Sequence, residues 1–167
     1  DYQLINTKYQ PKYGDLVRKI DKTNENQIFW FLTSREYLKE DPNFTKFLAL
    51  TIKKVVENRK LKEYLNVNNL KLKICTHALL EDELFNEISK YENDIIRIVK
   101  QKDIHINEEI SKSKLLITDY SSIIYDFSFA NKDYILFQPD IDRFIEKREL
   151  DYDENELTAL ITKTPNE

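Results

Sequence analysis

The chain has 167 residues, 41% hydrophobic and 34% charged, with 26 basic side chains against 30 acidic for a net charge of −4. A single Cys excludes a disulfide scaffold, and one Gly with four Pro excludes collagen and flexible low-complexity chains. With 9 Phe, 10 Tyr and 1 Trp the chain carries the core material that disordered sequences lack, and its length suits one globular domain.

The acid excess gives none of the basic face that duplex binding needs, so no nucleic-acid partner is expected. Apolar runs such as 28–32 stop far short of the roughly 20 residues of a membrane span, and the start shows no charged-then-apolar leader. A chain that opens on Asp1 rather than Met is expected to be a piece of a longer protein.

Residues 1–26 are polar and irregular and read as a linker leading into the domain at 27–167. The run QIFWFL at 27–32 predicts a buried, aromatic-rich strand. Apolar positions at helical spacing predict one long helix over 43–65. A second strand is expected at 70–75, a helix at 81–91, a third strand at 94–99 and a short helix at 107–111. Then come a strand at 115–118, an apolar helix at 122–130 and a strand at 134–138 ended by Pro139. A last helix at 140–147 opens on acidic residues, as the positive end of the helix dipole favours.

Strand and helix alternate, and the strands are continuously apolar rather than striped. That combination predicts a doubly wound α/β domain, a parallel sheet with helices on both faces. In such a sheet a ligand sits at the carboxyl ends of the strands. Three loops fall there: Thr33-Ser34-Arg35, Thr76-His77-Ala78 and Thr118-Asp119-Tyr120-Ser121-Ser122.

Each loop has a chemical reading and a plainer one. Ser121 and Ser122 stand where a strand runs into a helix, beside backbone N–H groups that lack intrahelical acceptors; they can seat a phosphate, cap the helix, or do both. Arg35 has the fork to grip phosphate oxygens, or it pairs with Glu36 or Glu40. His77 can donate to a diphosphate or act as an acid, or stand idle in its loop. His105 reads as surface. The Asp-x-Asp pairs at 140–142 and 151–153 have a spacing seen around divalent ions, but helix capping by Asp140 and solvated charge account for them. Two His and one Cys without ligand spacing predict no metal, and a lone Gly removes the nucleophile elbow, the dinucleotide fingerprint and the P-loop.

The stretch LLITDYSSIIYDFSFANKDYILFQPD at 115–140 resembles the CDP-glycerol glycerophosphotransferase family of teichoic-acid and capsule polymer enzymes. Its members read Leu-Ile-Thr-Asp-Tyr-Ser-Ser, matched at 116–122, then an apolar helix with Phe-Asp-Phe, matched loosely at 124–127. Leu32-Thr33-Ser34-Arg35 resembles the family's Pro-Thr-x-Arg, Thr76-His77-Ala78 its Leu-His-Pro, and Lys8–Lys12 faintly its Gly-Tyr-Pro-Arg. Leu32 and Ala78 stand where the family usually has Pro, and the family's closing Gly-Pro segment is missing.

The resemblance implies the donor-binding, C-terminal half of a two-domain GT-B fold built from Rossmann-like halves. It implies transfer of glycerol phosphate, or a related alditol phosphate, from a CDP-linked donor to a polymer or lipid-linked acceptor. The expected catalytic residue is His77, holding the diphosphate. The expected substrate-binding set is Arg35, Thr118, Asp119, Ser121 and Ser122, with Asp119 orienting its loop. No cofactor is expected. The base that takes the acceptor proton would come from the N-terminal domain, and the protein would work in the cytoplasm, peripheral on the inner face of a bacterial membrane. Two other readings are a nucleotide-sugar glycosyltransferase half and a degenerate, non-catalytic assembly domain.

Overall fold

The computed structural model describes residues 25–35, 41–77, 82–150, 152, 157 and 159–165. Ala78, Glu36, Glu40, Asp151, Asp153 and all but two residues of the expected linker lie outside that set. The elements run β1 (Gln27–Leu32), α1 (Pro42–Val56), α2 (Arg59–Val67), β2 (Lys71–Thr76), α3 (Asp82–Ser89), β3 (Ile96–Lys100), α4 (Ile106–Lys112), β4 (Ser113–Thr118), α5 (Ile123–Phe129), β5 (Asp133–Phe137), α6 (Ile141–Ile145) and β6 (Leu160–Thr162).

The strands form one sheet in the order β3-β2-β1-β4-β5-β6, and every pair is parallel. The chain moves outward from β1 to β3, crosses back through α4, and resumes beside β1 with β4. β1 and β4 therefore bound the switch point of a Rossmann-like sheet, where the two directions of winding part.

The alternation of side chains along β1 builds both layers. Ile28, Trp30 and Leu32 face a core with Leu48 and Ile52 of α1, Leu84 and Ile88 of α3, and Ile141 and Phe144 of α6. Phe29 and Phe31 face the other core, with Ile110 of α4 and Ile123, Ile124 and Phe127 of α5. All six residues of β1 are buried, which is why its sequence shows no polar stripe.

With one Gly in the chain, asparagine takes the left-handed positions that end helices. Asn69 (φ 52°) and Asn131 (φ 53°) follow α2 and α5. Leu70 N–H reaches Leu65 O at 2.8 Å, and Lys132 N–H reaches Phe127 O at 3.0 Å, the six-to-one bond of a Schellman motif in each case.

The structure departs from the sequence expectation in two places. The long helix is two helices, broken at Asn58, which adopts an extended backbone and caps α2 by accepting from Lys60 and Leu61 N–H. The sheet also gains β6, three residues paired with β5 at the edge, with Leu160 and Ile161 exposed. Beyond the sheet, Leu150 touches both cores and Tyr152 enters the α5 side. The chain after α6 thus returns across the carboxyl-terminal rim.

Candidate functional site

The carboxyl ends of β1, β4 and β5 are joined by a buried charge network. Asp119, one residue past β4, accepts from Thr33 N–H and from Tyr120 N–H at 3.0 and 2.8 Å. The Thr33 hydroxyl donates to the same carboxylate. Arg35 donates through Nη2 to Asp119 at 2.7 Å, through Nε to Asp140 at 2.8 Å and through Nη1 to Thr33 O at 3.0 Å. Asp140 also accepts from Tyr120 Oη at 2.9 Å. Arg35 and Asp119 are 3% and 1% exposed, so this guanidinium lies away from water between two carboxylates rather than out on the rim.

Tyr120 belongs to the α1 side of the sheet. Its ring stacks on Phe144 at 3.7 Å, and the Arg35 guanidinium lies 5.3 Å from its centre. Burial and then the Asp140 charge push its phenol well above the ordinary range, so it stays protonated and donates. Asp140 occupies the first-cap position of α6, yet it makes no side-chain capping bond; its carboxylate is spent on Arg35 and Tyr120. The capping role expected of it is therefore corrected: its partner lies 105 residues away.

His77 sits on the other side. Its N–H donates to Leu32 O, and its ring meets Phe31 edge-on with centroids 6.2 Å apart. Phe31 packs in the core that α5 covers, so the imidazole and the start of α5 share one layer. Burial holds the His77 imidazole below its ordinary value; the Arg148 charge adds to this and Asp119 opposes it. Arg148 lies on the segment that crosses the rim, its N–H bonded to Phe144 O. Nothing in the local sequence marks Arg148; the path of the chain after α6 brings its charge near His77.

Ser121 is half-buried and its hydroxyl accepts from Ile123 N–H at 3.3 Å; Ser122 is exposed and caps nothing. Helix α5 has seven residues and no long dipole, and its first N–H groups are taken within the turn: Ile124 N–H donates to Ser121 O and Tyr125 N–H to Ser122 O. The Thr118 hydroxyl is buried and donates to Phe31 O at 2.8 Å, which ties β4 to β1. Behind the turn, Tyr152 Oη donates to Asp119 O at 2.8 Å and accepts from Gln138 Nε2 at 3.0 Å. His77 thus stands past β2 against Phe31 of the core that α5 covers, the serine turn stands past β4, and Arg35 lies with Asp119 and Asp140 on the Tyr120 side. Among the described residues no group of three or more His, Cys, Asp or Glu stands ready to hold a metal.

A six-stranded parallel sheet in this order, with helices on both faces, defines a Rossmann-like domain. The family of CDP-glycerol:poly(glycerophosphate) glycerophosphotransferases matches residues 17–167, and the chain belongs to it. The teichoic acid poly(ribitol-phosphate) polymerase of Bacillus spizizenii (strain ATCC 23059 / NRRL B-14472 / W23) is 44% identical over 48 residues, 29% of this chain and 8% of that protein. A histidine-to-asparagine variant of the wall teichoic acid polymerase TagF, solved with CDPG, superposes with a TM-score of 0.51 at 20% identity, over 98% of this chain and 38% of the other. That likeness shows the fold. The chain spans well under half the length of either relative.

Proposed function

We propose that residues 27–167 form the donor-binding domain of a transferase that moves glycerol phosphate, or a related alditol phosphate, from a CDP-linked donor to a polymer or lipid-linked acceptor. Family membership supports the reaction class. The observation that supports the site is that His77 follows β2 and Ser121-Ser122 follow β4, the two neighbours of β1, at the carboxyl ends of the strands, with the His77 ring against Phe31 of β1.

In this reading the diphosphate lies along the rim between His77 and Ser121-Ser122. The acceptor hydroxyl attacks the β-phosphorus, the bond to the bridging oxygen breaks, and CMP leaves with the electron pair. Charge grows on the leaving phosphate, and donors fixed at that place stabilise it more than they stabilise the ground state. Burial disfavours the charged form of His77; a diphosphate beside it favours that form, so that the imidazole stands as a cation against it. Arg148 adds positive charge from the crossing segment. Arg35, Thr118 and Asp119 act behind this surface, holding the strand ends in register.

The proton of the acceptor would pass to a base on the other half of the two-domain fold that the family resemblance implies. No described helix is long and apolar enough to cross a membrane. Acting on a lipid-linked acceptor, the intact protein would sit peripherally on the inner face of a bacterial membrane.

Titration calorimetry of the intact protein with CDP-glycerol, CMP and UDP tests the reading. It is supported by CDP-glycerol binding that His77→Ala abolishes. Preference for UDP would make this a nucleotide-sugar transferase, and no nucleotide binding would make it an assembly domain.

A further inference from the structure

The serine turn does little to hold itself. Ser122 makes no capping bond, Ser121 makes one at 3.3 Å, and α5 is two turns long. Yet the chain changes layers there: the Tyr120 ring enters the α1 side against Phe144, while Ile123 and Ile124 enter the α5 side.

Two carboxylates grip this crossing. Asp119 Oδ1 accepts the Tyr120 N–H at 2.8 Å, and Asp140 Oδ1 accepts the Tyr120 hydroxyl at 2.9 Å. The Arg35 guanidinium bridges both carboxylates and is itself fixed to Thr33 O. All of these side chains are buried, so none of the bonds is exchanged for water without the turn shifting.

We propose that Asp140 is a positioning residue: acting through the Tyr120 hydroxyl and the Arg35 guanidinium, it sets the conformation of the turn that presents Ser121 and Ser122. It touches no substrate. Its consequence for binding rests on the reading of that turn as part of the diphosphate seat.

The test uses Tyr120→Phe, which deletes one hydroxyl and keeps the ring on Phe144, with Asp140→Asn as the variant that keeps shape and removes charge. Amide hydrogen exchange is followed residue by residue, and affinity is measured for CDP and for cytidine. In Tyr120→Phe, exchange of the Ile123, Ile124 and Tyr125 amides, which bond back to the serine turn, should speed about tenfold while β1 and β2 hold, as loss of one buried hydrogen bond in a local opening implies. CDP should weaken by a similar factor and cytidine should not, whereas a merely structural bond would move both ligands or neither. Unchanged exchange at 123–125 overturns the proposal, even if CDP weakens. Faster exchange with unchanged CDP affinity upholds the positioning and overturns the diphosphate seat instead.

Discussion

Both ends of the sheet bury charge, but they balance it differently. Toward the amino end, Lys73 meets Glu109 at 2.7 Å, and Gln27 bonds Glu109 and Ser113. Lys132 meets Glu25 at 3.1 Å and donates to the carbonyls of Ile110, Ser111 and Ser113, closing the end of α4. Each cation there has a carboxylate, and the bonds go to places where backbone must be tied down. At the carboxyl end two carboxylates close on one guanidinium and join the exits of β1, β4 and β5. The difference teaches where the guanidinium goes: Arg35 is absorbed into the architecture. In the function proposed above, the donors that meet the diphosphate are therefore His77, Arg148 and the serine turn.

The largest effect that would break this contrast is expected at Arg35. Arg35→Met strands two buried carboxylates and should cost about 3–5 kcal/mol of unfolding free energy in urea titrations, the usual toll of removing one partner from a buried charge network. A loss below about 1 kcal/mol would mean water reaches the network. Lys132→Met at the other end should cost less, about 1–3 kcal/mol, because it orphans carbonyls and leaves Glu25 nearer to water.

The pH dependence sharpens the comparison further. His77 in the folded chain binds its proton less readily than its ordinary value of 6.5 implies. The unfolded chain therefore holds more protons as pH falls through that value, and its contribution to stability is present above about pH 6.5 and lost below it. His77→Gln should flatten the fall in melting temperature between about pH 7 and 5. An unaltered pH profile would place the imidazole in water. The smallest change in stability is expected for Ser122→Ala, within about 0.5 kcal/mol, since its exposed hydroxyl caps nothing. CDP-glycerol affinity should nonetheless fall in that variant, as calorimetry would read.

Much of the fold was legible because it is written in local runs. The strand expected at 27–32 is β1 to the residue, and the switch from apolar runs to helical spacing marked the doubly wound class. The break at Asn58 was hidden because apolar spacing carries on through it, while the cap that ends one helix and starts the next is a single side chain. β6 escaped because its residues are few and partly exposed, so little burial is written into them. At the site, the chain order of Thr33, His77 and Ser121 was enough to put them at strand ends. The roles of Arg35, Asp140 and Arg148 were not legible, because Arg35 and Asp140 meet across 105 residues and Arg148 arrives only when the chain doubles back over the rim. Asp140 after Pro139 looked like a helix cap; tertiary pairing overrode that local reading.

The most direct test is the titration of the imidazoles by nuclear magnetic resonance, with and without CDP-glycerol, in a chain whose two histidines are easily told apart by His77→Gln. His77 should titrate below its ordinary value in the free protein and move upward when the diphosphate binds. A bound nucleotide that leaves the His77 titration unmoved would contradict it.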